Sequence, residues 1–452
     1  MQEEKKDIIE KIAQPPISAV KTTVDVEKES VKMIGHVAAT AVNLPFKKRR
    51  SILHFFWRSK SGVITGAADN DPSAIVTYTQ TGAVAGLKLL WMALLAWPLL
   101  TVVEEMSARI GVVAKKGINA VIYDNYGKFW AYLVILVLLL VNTITLGADI
   151  AAMSDVAMVL TGIPEIIFIL IFGGLFFLLL WKKGYQEVSR YLFILTPIFI
   201  LYILSAFLLP VPWGEAIKNT FLPNLQLFNP SFMLVAVAFL GTTLTPAMIF
   251  WETSQEIEDG KTVDTLKREN TNVAFGMFYS QFITFFIIVA AAAAFAGQNH
   301  IVTTAREASV ALKPLGNASF ILFSLGILGS GLISIPVIAA SSGYMFAETF
   351  KMNHGLDKKV HEAKGFYLIM IFSLVIGVII ALLRFNPILA LLYSQVLAGL
   401  LTPILLIFLL LISNSKKIMG NYTNRFWSNF FGIIAILVMI ASDVALLIEW
   451  IK

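Results

Sequence analysis

Eleven stretches of about 20 apolar residues, each long enough to cross a bilayer as a helix, follow one another along this chain. They lie at 62–83, 88–108, 129–159, 164–181, 190–209, 230–251, 272–296, 317–348, 366–384, 388–412 and 427–449. In hydrocarbon every backbone polar group must be satisfied within the protein, so such a chain folds as a bundle of membrane-crossing helices. The composition agrees: 57% of the residues are hydrophobic and 14% charged, against about 25% charged in an ordinary soluble domain. A soluble enzyme, a disordered chain and a water-facing nucleic-acid binder are excluded. The absence of Cys removes disulfides, thiolate metal sites and Cys nucleophiles.

The net charge of +6 is a matter of topology. Positive residues stay on the cytoplasmic side of a membrane. With eleven alternating spans, 29 of the 35 Lys and Arg fall on one side. The other side holds only Lys88, Lys218, Arg306, Lys313, Arg384 and Lys452. One span missed or invented would scramble this separation. Residues 1–60, Lys-rich and ending near Lys47-Lys48-Arg49-Arg50, are expected to form a cytoplasmic polar tail along the membrane surface, with no cleavable signal peptide. Residues 61–452 are expected to form a single membrane domain of eleven spans, with its C-terminus outside the cytoplasm.

Two spans are interrupted. The first contains Thr65-Gly66-Ala67-Ala68-Asp69-Asn70-Asp71-Pro72-Ser73-Ala74, and the sixth Leu240-Gly241-Thr242-Thr243-Leu244-Thr245-Pro246-Ala247-Met248. Proline lacks a backbone donor and clashes with the preceding turn, so each helix must break or kink. A lone Pro in a span is ordinarily only a kink. Here two of them occupy matching places in the halves 1–5 and 6–10, and the first carries intramembrane carboxylates. Paired interruptions of this kind mark the central site of a transporter. Asp71, directly before Pro72, is the stronger ligand candidate, and Asp69 has the alternative role of a helix cap.

At these residues the sequence resembles the Nramp family of divalent-metal transporters, whose first span carries Asp-Pro-Gly-Asn and whose sixth carries Ala-x-x-Met-Pro-His-Asn. Ala108-Arg109-Ile110-Gly111, Ala148-Asp149 and Tyr393-Ser394-Gln395-Val396 extend the likeness through spans 1 to 10, and the first motif is similar to that of a divergent bacterial branch. The resemblance implies an all-α LeuT-type fold: two inverted five-helix repeats plus an eleventh helix, with spans 1 and 6 broken at the centre. It also implies a metal site formed by Asp71 with Ala68, Asp69, Thr242, Thr245 and Gln395, and a proton or gating role for Asp149. Glu252 and Gln255, about two turns past the span 6 break, are by position candidates for lining an inner vestibule, with a gating role for Glu252. The departures are specific. The family's Asn ligand is Ala74 here, its carbonyl Ala is Thr242, its Met is Thr245, its His is Ala247, and a second acidic position in span 3 is Ala152. All five His fall outside the spans.

Replacing a thioether by a hydroxyl leaves an oxygen-only site, which favours Mg2+ and Mn2+ over softer metals. Mg2+ in particular binds through one or two carboxylates plus retained water. The expected function is therefore a transporter or facilitator of hard divalent cations, Mg2+ first and Mn2+ next, in a bacterial plasma membrane and with weak or absent proton coupling. The metal is the substrate; no enzyme activity, cofactor, nucleic acid or ATP is implied, and no phosphate-binding Gly-rich loop follows a strand. Three other readings stay open: an ordinary proton-coupled Mn2+/Fe2+ symporter, a sodium- or proton-coupled organic-solute carrier of the same fold, and a sensor that kept the fold without transport. Several polar residues also have purely structural readings. Glu252 opens an acidic run to Asp259 that is expected to be solvated at a helix end. Glu104 and Glu105 are expected to pair with Arg109. Asn142, Thr143 and Thr145 suit hydrogen bonds between helices, and Gln395 is a packing residue unless it lines the site. Asp149 and Asp155, six residues apart, are separated by about 240° around a helix, so at most one faces the interior.

Overall fold

The computed structural model describes residues 56–182, 184–223, 230–295, 302, 304–313, 316–383 and 387–451. The expected tail at 1–60 therefore falls almost wholly outside the described residues. Every expected span is helical. Span 1 is two half-helices, 1a (Lys60–Ala68) and 1b (Pro72–Ala85); span 2 is Leu90–Ala114, span 3 Lys128–Thr161 and span 4 Glu165–Lys182. Span 5 runs through Tyr185–Leu195 and Ile200–Phe207. Span 6 is again two halves, 6a (Pro230–Thr243) and 6b (Pro246–Glu258). Spans 7 to 11 are Leu266–Ala294, Asn317–Thr349, Lys364–Leu382, Pro387–Asn414 and Phe426–Ile451.

By length and apolarity alone, ten helical runs among the described residues are fit to cross a membrane, because 1b and 2 form one uninterrupted run over Pro72–Ala114. The backbone separates them. Gly86 adopts φ +60°, outside the helical region and open to glycine at little cost, and a 3₁₀ turn over Gly86–Leu89 follows. Spans 1b and 2 both pack along span 7, which requires the chain to fold back there. Eleven crossings result, as the charge separation demands.

The packing repeats between the halves. Span 1 lies on span 7, and span 6 lies on span 2 in the corresponding way. Both contacts are backbone-close and need glycine. A Cβ on Gly62, Gly66 or Gly276 would strike the facing backbone of span 7 or span 1a, and one on Gly111 would strike the Thr253 carbonyl. Small residues allow this approach where lipid offers no hydrophobic drive to associate. Four crossings lie between spans 1 and 6, so the two run in opposite directions: 1a packs beside 6b and 1b beside 6a. Span 3 packs on spans 8, 9 and 10, while span 11 rests on spans 10, 6a and 2.

The face bearing the Lys- and Arg-rich loops, called the basic face below, is closed by ion pairs. Asp124, in the helix Ile118–Tyr126, meets Lys116 at 2.8 Å and Lys351 at 3.1 Å. Hydrogen bonds from these two lysines hold its carboxyl below the usual carboxylate range.

Candidate functional site

Both breaks create the same backbone chemistry. In an uninterrupted helix the carbonyl of Ala68 would receive the N–H of residue 72 and that of Thr242 the N–H of residue 246. Both donors are prolines, so neither bond can form. Since 1a neighbours 6b and 1b neighbours 6a, both breaks fall within one packed group of half-helices.

Asp71 caps span 1b. Its Oδ1 accepts from the Ala74 N–H at 2.6 Å and from the Ser73 hydroxyl at 2.6 Å, the usual satisfaction of an orphan donor at a helix start. Span 3 joins the same turn: the Ser73 N–H donates to Asp149 Oδ1 at 3.2 Å. Two carboxylates thus share the positive end of one helix dipole. Asp149 is fully buried, and its Oδ2 has no hydrogen-bond partner among the described residues. Asp155, on the other side of span 3, turns outward and lies 3.8 Å from Arg306.

Asp69 and Asn70 bind span 7. Ser280 donates to Asp69 Oδ2 at 2.9 Å, Asn70 Nδ2 donates to Ser280 Oγ at 2.9 Å, and Thr284 donates to Asn70 Oδ1 at 3.0 Å. Asp69 Oδ1 is left without a partner. Across the gap, the Thr245 hydroxyl donates to the freed Thr242 carbonyl at 2.9 Å. A hydroxyl that gives its proton away keeps its lone pairs for a cation. Thr242 Oγ1 also meets Thr77 Oγ1 at 3.4 Å, tying 6a to 1b, and Ser341 of span 8 donates to the Ala247 carbonyl at 2.9 Å. Gln395 lies on the described backbone of span 10, but its side chain is outside the described set.

The two sides of this centre differ in accessibility. Thr77, Gly241 and Thr245 are part-exposed toward 1b and 6a, whereas Thr65, Asn70, Glu252 and Gln255, toward the basic face, are at most 1% exposed. Among the described residues no three His, Asp or Glu side chains converge as a metal cage. Any cation at the break would be held by one or two carboxylates, carbonyls, hydroxyls and water.

Two sequence expectations need correction. The run from Glu252 is not a solvated helix end: Glu252 and Glu256 are both 0% exposed, because 6b is covered by spans 1a, 2 and 8. Thr65 donates a short hydrogen bond to Glu252 Oε2, and Gln255 Nε2 lies 3.5 Å from the same oxygen. Glu105 keeps the expected attraction to Arg109, but Glu104 does not pair with Arg109. It is buried with Oε2 unpartnered, while Arg109 donates to Asn424 before span 11. The expected interhelical bond of Asn142 is present, to Ser342 at 3.0 Å. Sequence reasoning missed Ser280 and Thr284; a Ser and a Thr four residues apart in apolar span 7 were the available signal.

The comparisons with known proteins cover most of the chain. It is 24% identical over 400 residues to a protein of Acidiphilium cryptum described as divalent metal cation transporter MntH, spanning 86% of this chain and 89% of that one. A protein of the same description from Deinococcus radiodurans is 26% identical over 410 residues, covering 86% and 88%. Among solved structures, the fold superposes on the Eremococcus coleocola manganese transporter, crystallised with an aromatic bis-isothiourea substituted compound, at TM-score 0.69 and 17% identity, covering 89% of this chain and 87% of that one. It also superposes on a nucleobase-cation-symport-1 family transporter in a closed conformation, at TM-score 0.51 and 14% identity, covering 87% and 92%. These likenesses, with the two broken spans and the repeated packing, establish the LeuT-type architecture. The sequence profile of the natural resistance-associated macrophage protein-like family matches residues 62–449, and the chain belongs to that family, Nramp, whose members are membrane transporters.

Proposed function

We propose that this protein carries divalent metal ions across a bacterial plasma membrane through a site at Asp71, Ala68, Thr242 and Thr245, with the basic face cytoplasmic. The observation that carries the reading is Asp71 at the break of span 1, just past a carbonyl that Pro72 leaves without its helical donor, with span 6 broken in the same way at Thr245-Pro246. The names printed for the relatives, divalent metal cation transporter and manganese transporter, support a metal substrate. This chain's own donor set refines it. The donors are all oxygen and few, which suits Mg2+ first and Mn2+ second.

Proton coupling is weak or absent in this reading. No His stands in any described span, Ala247 and Ala152 occupy the two other positions where the family has titratable groups, and Asp149 is the best relay candidate left near Asp71, with Asp69 behind it. The membrane potential itself favours entry, by about 2.3 kcal/mol per charge per 100 mV. Ordinary proton-coupled Mn2+ symport is the second reading, favoured by the buried, unpartnered Oδ2 of Asp149. The test is reconstitution into liposomes with trapped metal- and pH-sensitive dyes. Asp71→Ala should abolish metal flux in a protein that still purifies monodisperse, and uptake at the wild-type rate would sink the site. Metal-dependent acidification of the lumen that Asp149→Asn removes would overturn the uncoupled reading.

A further inference from the structure

Below the centre, 1a and 6b form a polar seam that the central site does not use. Ser61, Thr65 and Ala68 share one face of 1a, at steps of four and three residues, and Glu252 and Glu256 share one face of 6b. The Thr65–Glu252 hydrogen bond shows that these two faces meet. Because the half-helices run antiparallel, Ser61 stands opposite Glu256, one turn nearer the basic face. Among the described residues, every group in this second rung is buried and lacks a hydrogen-bond partner: Ser61 Oγ (4% exposed) and both oxygens of Glu256 (0% exposed), together with Glu252 Oε1 one turn above. The seam ends at Lys261, whose ammonium reaches Glu269 at 3.1 Å and Asp259 at 3.8 Å and attracts Glu256 from beyond hydrogen-bond distance. Buried carboxylate oxygens are otherwise nearly always hydrogen-bonded or paired. Four such atoms in one seam, one of them on a serine from the facing helix, match the oxygen shell of a hard cation that keeps part of its water.

We infer that Glu252 and Glu256, with Ser61 and Thr65, form a second divalent-cation site, through which the ion passes between the central site and the basic face. This inference rests on the proposed metal transport and adds a station to it. An ion arriving at Glu252 competes with the Thr65 hydroxyl for the carboxylate, so occupation of the seam loosens the contact that holds 1a against 6b.

The experiment counts Mn2+ bound per purified full-length chain by electron paramagnetic resonance of the free ion at saturating Mn2+. Two ions per chain are expected in the wild type, one in Asp71→Ala, one in Glu256→Gln and none in the double variant. Ser61→Ala, which leaves both carboxylates in place, should weaken the second ion several-fold and guards against misfolding of Glu256→Gln. A wild type that binds a single ion, lost in Asp71→Ala and kept at unchanged affinity in both Glu256→Gln and Ser61→Ala, would overturn the seam site and leave the central reading standing. Two ions surviving in Asp71→Ala would instead overturn the central reading.

Discussion

Thr65→Val removes one hydroxyl from the closed side of the bundle, and its effect can be sized from the contacts around it. The hydroxyl donates to Glu252 Oε2, whose other neighbour is Gln255 Nε2 at the outer limit of 3.5 Å, and Glu252 Oε1 has no partner. A hydrogen bond to a charged group contributes about 1.5–3 kcal/mol, more when its loss strands a buried oxygen. If the bond exists only while 1a lies against 6b, its loss raises the fraction of opened chains by roughly 10- to 150-fold. The natural absence of Cys supplies the assay. Ser61→Cys places a single thiol on the buried face of 1a, one turn from Thr65. Its rate of modification by a membrane-impermeant reagent applied at the basic face reports opening. The rate should rise by that factor when Thr65→Val is added, and Thr65→Ser should restore the slow rate. A change of less than threefold would show that the Thr65–Glu252 bond does not hold the seam shut, leaving closure to the glycine contacts with span 7.

Those contacts make their own prediction. A methyl group at Gly276 meets the Gly62 backbone, so Gly276→Ala should destabilise by about 1–3 kcal/mol and lower the melting temperature in detergent, while Gly174→Ala, with open space around it, should not. Thr245→Met adds a soft ligand at the break, so Cd2+ should compete with Mn2+ better than in the unmodified protein; Cd2+ competing first in the unmodified chain would contradict the oxygen-only argument. Asp124 has a lowered folded pKa, held down by hydrogen bonds from Lys116 and Lys351. Its contribution to stability is therefore present above the unfolded value and is lost as pH falls through the folded one, so Asp124→Asn should lower the melting temperature near neutral pH and converge with the wild type in acid. Both lysines are more than half exposed, so high salt should shrink that difference.

Much of this molecule is legible one residue at a time. Span number, alternation of sides and the positions of both breaks follow from local quantities: the length of an apolar run, the sidedness of Lys and Arg, and the missing N–H of Pro72 and Pro246. Asp71 stands out for the same reason, since a carboxylate beside a proline in an apolar run is costly wherever the chain goes. Tertiary structure alone decides which helix covers which. Glu252 and Glu256 look like a solvated helix end in sequence because their burial is imposed by spans 1a, 2 and 8, which lie far away in the chain. Glu104 stands one helical turn and a residue before Arg109, yet Arg109 finds Asn424, 315 residues distant. Asn70 and Thr284 become partners only when glycines let the backbones of spans 1 and 7 approach to contact, and that closeness is a property of two surfaces at once. Side-chain chemistry is written locally, but the dielectric around a side chain and the identity of its partner belong to the packed bundle.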